Sequence, residues 1–213
     1  MAIKTYGLIF LPYFLLKKKW RVLAVGLAVL AAGFLGPIAF YGLPGNFEVH
    51  REWVSTLSRS TPHLFSSQDN VSLLALAVKY SGNLHLSLLV WAGLAGVISL
   101  FFLAGLRRHD FPPRTTVLEC AVLMLLIPLL SPLGWDYTFL LAVLGLTLCF
   151  SRFFEFSPAR RVVLAVNSCL IFLTIYDLLG RGLYARFMAL SLPTYFFLVL
   201  LVLLFHLRWR RLA

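Results

Sequence analysis

The residues best suited to chemistry form a polar turn at residues 131–137, which read Ser-Pro-Leu-Gly-Trp-Asp-Tyr. This polar turn separates two nearly uncharged apolar stretches, so its side chains are expected where lipid headgroups meet the protein. Ionisable groups are costly at that depth, which makes Asp136 a candidate functional residue beside Trp135 and Tyr137. Two structural roles stay open, because Trp and Tyr also serve as interfacial anchors and an Asp also caps a helix.

The elements that must position this turn are membrane helices. Hydrophobic residues make up 61% of the 213 residues and the mean hydropathy is +0.89, whereas globular chains are nearer half apolar. A membrane span requires about 20 apolar residues. Six stretches approach this length, at residues 20–41, 84–106, 116–130, 137–150, 162–179 and 189–207. With a shorter stretch at residues 6–16, they predict an all-α fold: a polytopic transmembrane helical bundle of about seven membrane segments, in a single domain over residues 1–213.

The distribution of positive charge predicts the orientation of this bundle. Basic residues cluster at every second membrane boundary, at residues 17–21, 107–114, 152–161 and 208–211. This positive-inside pattern places the C-terminus in the cytoplasm and the loop at residues 42–83 on the extracytoplasmic side. The net charge of +11 is then explained by orientation and by contact with the lipid bilayer, so no nucleic-acid partner is predicted. We expect an integral protein of the plasma (inner) membrane.

The loop at residues 42–83 is a second candidate site, because a loop of this length in a compact chain is usually functional. Within it, residues 71–80 predict a short helix with Asp69 or Asn70 as its N-cap. That helix is expected to lie flat at the membrane interface or to pack on the bundle. The histidines of the outer side lack the spacing of metal ligands, so no metal and no cofactor is predicted.

Topology gathers further polar side chains at the outer face: Lys4, Asp69, Asn70, Asp177, Arg181 and Arg186. Cations at the level of the outer headgroups suit a lipid phosphate, and a carboxylate beside them suits a sugar hydroxyl or a salt bridge. For Asp177 and Arg181, which are four residues apart, a plain ion pair on one helix is the favoured interpretation.

The polar turn resembles the Ser-Pro-x-Ser-Trp-x-His-His signature of glycosyltransferase family 87, whose members are polytopic enzymes of the GT-C class. Residues 2–6, followed by the basic run at residues 17–21, are similar to the family's Lys-bearing helix and its basic exit. Residues 69–73, Asp-Asn-Val-Ser-Leu, are similar to its Asn-x-Ser-Leu loop helix. The three motifs keep the family's order and spacing over nearly the whole chain. The family's two histidines are replaced by Tyr137 and Thr138.

This resemblance implies a GT-C-like fold and a polyprenyl-phosphate sugar, typically mannose, as the donor on the extracytoplasmic side. Together with the polar side chains gathered at the outer face, it predicts a substrate-binding set in which cations hold phosphate, aromatic rings stack on sugar or isoprenoid, and Asp136 positions a hydroxyl. The set comprises Lys4 and Arg181 for phosphate, Trp135 and Tyr137 for stacking, and Asp136 and Asn70.

The resemblance places the catalytic carboxylate of GT-C enzymes in the first extracytoplasmic loop, and no residue of this chain matches it. We therefore expect the carrier-lipid and donor-binding half of a membrane glycosyltransferase, inactive alone and without a catalytic residue of its own. An N-terminal half or subunit is a further expected partner. The alternative is a non-catalytic membrane scaffold or subunit that partners a separate N-terminal catalytic chain.

Overall fold

The structure is a computed structural model that describes residues 8–106 and 113–210, without the side chains of Pro113, Arg114, Asp136, Phe139 and Arg210. Helices dominate this part of the chain, which confirms the predicted all-α bundle. The α-helices are α1 (Phe10–Leu16), α2 (Trp20–Leu35), α3 (Ile38–Leu64), α4 (Leu73–Ser81), α5 (Leu84–Leu106), α6 (Pro113–Leu130), α7 (Val143–Ser151), α8 (Pro158–Leu173), α9 (Tyr176–Ala189) and α10 (Leu192–Arg210). 3₁₀ helices at Asp136–Ala142 and Phe153–Glu155 flank α7.

The chain divides into two compact units, Met1–Pro62 and His63–Ala213. In the first unit α1 packs on α2, and α3 leaves α2 at an angle of 83°. The stretch predicted as a span at residues 20–41 is not one continuous helix, because α2 ends at Leu35 and α3 begins at Ile38. Pro37 lies in the break and has no N–H to donate into a continuing helix.

The segment predicted as a long loop at residues 42–83 is mostly helical. Gly42, with a φ of +66°, interrupts α3, and Pro44 falls in the first turn beyond this break, where Pro is tolerated. The Gly and Pro that signal a turn therefore mark the start of a helix that continues to Leu64. The short helix predicted at residues 71–80 is confirmed as α4, and it packs on α5 and α6.

α10 is central in the second unit, where it contacts α5, α6, α7, α8 and α9. The core is formed by fully buried leucines of α6 and α10: Leu118, Leu125, Leu129, Leu200, Leu204 and Leu207. α7 approaches α10 closely at Gly145, where an added Cβ would lie 3.0 Å from Leu204 Cδ1. This packing fixes both ends of the polar turn, because the turn joins α6 to the 3₁₀ helix before α7.

The number of membrane-length helices is smaller than the predicted seven segments. Among the described residues, α5 and residues 192–209 of α10 are long and apolar enough to cross a membrane, with mean hydropathies of 2.3 and 1.7. Two further spans result if each sharply bent pair, α2 with α3 and α8 with α9, counts as one. The stretches predicted at residues 116–130 and 137–150 form shorter apolar helices.

The stretch predicted as a span at residues 162–179 is also bent, because α8 ends at Leu173 and α9 departs from it at 95°. Thr174 lies in the break and donates its hydroxyl to the carbonyl oxygen of Leu170 at 2.6 Å. A side-chain bond of this kind competes with the helical backbone bonds and bends helices. No Gly or Pro marks the position, so the sequence predicts a continuous helix there.

A buried ion pair joins three helices of the second unit. Arg208 of α10 donates from Nη2 and Nε to Glu119 Oε1 of α6, at 2.8 and 3.2 Å. The same Nη2 lies 3.2 Å from the carbonyl oxygen of Gly105, near the end of α5. Both charged side chains are buried. The sequence places both residues among the charges of the cytoplasmic boundary and does not pair them.

Replacing Glu119 with Ala should strongly destabilise the second unit, because the guanidinium of Arg208 would remain buried without its carboxylate. We expect the free energy of unfolding in detergent to fall by about 3–5 kcal/mol. The double variant Glu119→Met with Arg208→Met is the control, since it removes both charges and should recover most of that loss. Equal destabilisation of the single and double variants would show that the pair contributes through packing alone.

Candidate functional site

The polar turn is clamped by the side chain of Asn70, which is fully buried. Asn70 Oδ1 accepts from the N–H of Gly134 at 3.0 Å and from that of Ser72 at 3.2 Å. Asn70 Nδ2 donates to the carbonyl oxygens of Pro132 and Leu64, at 3.0 and 3.2 Å. An amide has two acceptor positions and two donor hydrogens, and all four are used here.

Backbone pairing completes the clamp. Residues Asn70 and Trp135 form an antiparallel bridge, and the N–H of Val71 donates to the carbonyl oxygen of Gly134 at 2.8 Å. The structure thus brings together two predicted site residues, Asn70 and Trp135, that are 65 positions apart in the sequence. Within this pair, Asn70 positions the turn and Trp135 is half-buried.

The N-cap of α4 is Ser72, so the prediction of Asp69 or Asn70 in this role is wrong. Ser72 Oγ accepts from the N–H of Ala75 at 3.0 Å and donates to the carbonyl oxygen of Pro132 at 3.2 Å. Ser72 has the extended backbone of an N-cap, with φ −70° and ψ 165°. Asn70 cannot cap the helix because its amide is occupied by the polar turn.

Gly134 is required by the close approach of three elements. A Cβ at this position would lie 2.3 Å from the carbonyl oxygen of Pro128 in α6, and 3.1 Å from the Cβ of Ser72. The first distance is far below any real contact, and the obstructing atom belongs to the backbone of a packed helix. Gly134 therefore lets the turn fold back against α6 and the start of α4.

Lys79, which the sequence analysis did not select, ties the Asn70 segment to the end of α9. Its Nζ donates to the carbonyl oxygens of Asn70, Gln68 and Met188, at 2.7, 2.9 and 2.9 Å. Partial burial lowers the pKa of Lys79 to about 8, and the nearby charge of Asp69 acts in the opposite direction. The three bonds use all three donors of the ammonium group. The sequence gives no indication of these three bonds, because Lys79 reads there as an ordinary basic residue on a short helix.

Tyr137 borders an apolar groove of about 400 Å³ in the second unit. The groove runs from the polar turn along α7, between the end of α8, α9 and the start of α10. Its lining is almost entirely apolar and aromatic: Tyr137, Leu140, Val143, Leu146, Ile171, Phe172, Thr174, Ile175, Tyr184, Met188, Pro193, Phe196 and Phe197. Tyr137 itself is 59% exposed, so its ring is presented at the border of the groove.

Arg181 is connected to this groove through two tyrosines of α9. Arg181 Nε donates to the hydroxyl of Tyr176 at 2.9 Å, and the Tyr176 ring lies 5.5 Å from that of Tyr184, edge to face. The favoured ion pair of Arg181 with Asp177 is not formed. Gly180, with φ +71° and ψ 164°, interrupts the helix between them, so the four-residue spacing no longer places the two side chains together.

Two predicted site residues fall outside this description. Lys4 lies outside the described residues, and for Asp136 the structure describes the backbone alone. The backbone of Asp136 begins a 3₁₀ helix whose N-cap is Trp135. The hydroxyl and the N–H of Thr138 both donate to the carbonyl oxygen of Trp135, at 2.5 and 2.9 Å, which closes the polar turn.

Gly134→Ala should destabilise the protein, because the new Cβ cannot be accommodated without moving α6 or the Asn70 segment. We expect a loss of about 1–3 kcal/mol in the free energy of unfolding, the usual cost of overpacking. The matched control is Gly96→Ala in α5, whose Cβ would meet open space. That change should not destabilise the protein, and the higher helix propensity of Ala should raise stability by up to about 1 kcal/mol. Similar effects at both positions would contradict the close approach seen at Gly134.

The lowered pKa of Lys79 predicts a pH dependence of stability. Between the folded value of about 8 and the ordinary value of 10.5, the unfolded chain keeps a proton that the folded chain has released. The folded state therefore gains stability as the pH rises through this window. Relative to Lys79→Met, which cannot titrate, the wild-type free energy of unfolding should rise from pH 8 to pH 10.5. A pH-independent difference between the two proteins would contradict the lowered value.

Comparison with known proteins adds one finding. Residues 1–132 of the 213 match glycosyltransferase family 87, a range that includes Asn70 and ends within the polar turn. This range is shorter than the resemblance in the motifs, which extends to Thr138. No curated protein and no solved structure matches the chain significantly. The apolar helices and the family together indicate a membrane glycosyltransferase. Since the match covers more than half of its residues, the chain belongs to glycosyltransferase family 87.

Proposed function

We propose that this chain provides the carrier-lipid and donor-binding part of a membrane glycosyltransferase. The donor is a polyprenyl-phosphate hexose, most simply mannose, used on the extracytoplasmic face. The observation that carries this proposal is the apolar groove that opens beside the polar turn in a member of family 87. An isoprenoid chain is a long apolar ligand, and a concave surface lined by aliphatic and aromatic side chains is the kind of site that buries one.

The phosphate end of such a lipid requires cationic or hydrogen-bonding groups at the border of the groove. Arg181 meets this requirement, because its contact with Tyr176 and the Tyr176–Tyr184 ring contact connect it to the groove lining. A guanidinium binds phosphate oxygens through charge-assisted, often paired hydrogen bonds. Lys4 is proposed as a second phosphate ligand, on the basis of its place in the sequence motif.

The sugar would lie at the polar turn, beyond the phosphate. Trp135 and Tyr137 offer aromatic faces for a pyranose ring, and Asp136 is proposed to accept a hydrogen bond from a sugar hydroxyl. In the transfer reaction, a carboxylate base removes the proton of an acceptor hydroxyl, whose oxygen attacks the anomeric carbon. The bond from that carbon to the phosphate oxygen breaks, and the polyprenyl phosphate leaves. Cations at the phosphate stabilise the charge that develops on it.

The orientation follows from the basic groups at alternate boundaries. We propose that the protein is integral to the plasma (inner) membrane, with its C-terminus in the cytoplasm and the polar turn on the opposite side. The donor sugar would then be used outside the cytoplasm. A partner chain or segment that supplies the carboxylate base belongs to the same proposal.

Filling the groove tests the proposal directly. Val143→Trp places an indole into the groove at a residue that is 50% exposed, and it should lower the affinity for a short polyprenyl phosphate at least tenfold. The control is Val166→Trp on α8, which is 54% exposed and does not line the groove. Its affinity should equal that of the wild type. Binding is measured in detergent, alongside thermal unfolding of each variant.

Replacing Arg181 distinguishes the contribution of the phosphate to binding from that of the isoprenoid chain. Arg181→Gln should weaken binding of the polyprenyl phosphate about tenfold to a hundredfold, the value of a charge-assisted hydrogen bond. It should leave binding of the uncharged polyprenol unchanged, because the groove is intact. If Val143→Trp and Arg181→Gln both bind the phosphate like the wild type, the proposal fails and a scaffold that partners a catalytic chain becomes the better account.

A further inference from the structure

Helix α3 is too polar to cross a membrane, although it follows directly from an apolar helix. Beyond Gly42 it contains four charged residues, Glu48, Arg51, Glu52 and Arg59, together with two histidines. Charged side chains at the centre of a bilayer are costly. α2, in contrast, has a single charge at its start, and none of its residues is buried, as suits a helix that meets lipid.

The angle between the two helices gives α3 its direction. α3 leaves α2 at 83°, and its part beyond the break at Gly42, residues 43–64, is about 33 Å long. If α2 runs along the membrane normal, this part of α3 rises by only about 4 Å over that length. With α2 in that orientation, α3 lies along the plane of the membrane surface, at the level where α2 ends.

The two faces of α3 differ in character. Glu48, Glu52, Ser55 and Arg59 follow one another at spacings of three and four residues and line one exposed polar face. An opposite stripe contains Phe47, Val54 and Leu57, all exposed, with Phe47 at 74%. An amphipathic pattern of this kind is typical of a helix that lies in a membrane interface.

Contacts within the unit show which face of α3 is turned toward α2. The His50 ring lies 4.1 Å from the ring of Phe34 near the end of α2, and Asn46 is buried on the same side of α3. By helical periodicity His50 and Asn46 lie beside Leu57 and Val54, on the apolar side. The apolar stripe therefore points back toward the depth that α2 occupies, and the polar face points away from it.

We propose that α3 is an interfacial helix that rests on the bilayer, with the apolar stripe of Phe47, Val54 and Leu57 immersed at the boundary between headgroups and acyl chains. The occupant of this face is lipid. The polar face carries two Glu and two Arg, so its net charge is zero and it has no preference for anionic headgroups. Immersion then depends on apolar contact and is independent of salt and of lipid charge.

Depth measurements on the full chain test this proposal. The three native cysteines, Cys120, Cys149 and Cys169, are replaced by Ala, and a nitroxide label is attached to a single cysteine at residue 47, 54 or 61. These positions, Phe47, Val54 and Thr61, lie two helical turns apart along one side of α3. In phosphatidylcholine vesicles, their accessibilities to oxygen and to a water-soluble nickel chelate should give depths that agree within about 5 Å.

Labels on the polar face supply the control. Glu48→Cys and Ser55→Cys should be open to the nickel chelate and show little oxygen enrichment. Adding phosphatidylglycerol to the vesicles, or 0.5 M salt to the buffer, should leave the depths on the apolar stripe unchanged. Proper folding of each variant is checked by its elution from a sizing column and by its helix content.

Three results would overturn the proposal. A depth that changes by about 10 Å at each seven-residue step would show that α3 is inclined along the membrane normal. Equal nickel accessibility on both faces would place α3 in water. Low accessibility of the apolar stripe to both oxygen and nickel would show that protein, and not lipid, covers this face.

Discussion

The carboxamide of Asn70 uses both of its acceptor positions and both of its donor hydrogens to hold the polar turn. Its partners come from the end of α3, the start of α4 and the turn itself, so one buried side chain joins segments that are distant in sequence. Ser72 and Gly134 depend on this arrangement. Ser72 shares the Pro132 carbonyl with Asn70, and Gly134 fits only because the two backbones lie side by side. Unsatisfied groups here would be costly, because the site is closed to water.

This clamp divides the residues of the two motifs, at residues 69–73 and 131–137, into two classes by their burial. Asn70, Ser72 and Gly134 are buried and engaged with the backbone, so they maintain the shape of the turn. Tyr137 is largely exposed at the border of the groove, and Trp135 is half-buried beside it. The aromatic residues are thus the accessible ones, and the amide and glycine maintain the turn that holds them. A motif can carry both kinds of residue within seven positions because a turn exposes one side only.

The fold class was predictable from the sequence because the apolar content and block lengths leave few alternatives to a helical membrane bundle. The importance of Asn70 and Trp135 was also visible, since both belong to family motifs. The breaks in the helices were not predictable. At Thr174 the chain bends between α8 and α9 although no Gly or Pro marks the position, and Gly180 interrupts the helix between Asp177 and Arg181, where the sequence predicts one continuous helix. The Glu119–Arg208 pair and the three bonds of Lys79 depend on distances between helices, which no local pattern encodes.

The two sharp bends have a common geometry. Each joins a helix of 16 residues to one that leaves it at nearly a right angle, α3 after α2 and α9 after α8. A helix of 16 residues reaches about 24 Å, which is shorter than a hydrocarbon core of about 30 Å, so neither helix before a bend crosses the core by itself. After the second bend, α9 places Tyr184 in the lining of the apolar groove and Arg181 in contact with Tyr176. The bend after α8 therefore accounts physically for the position of a cation close to an apolar groove.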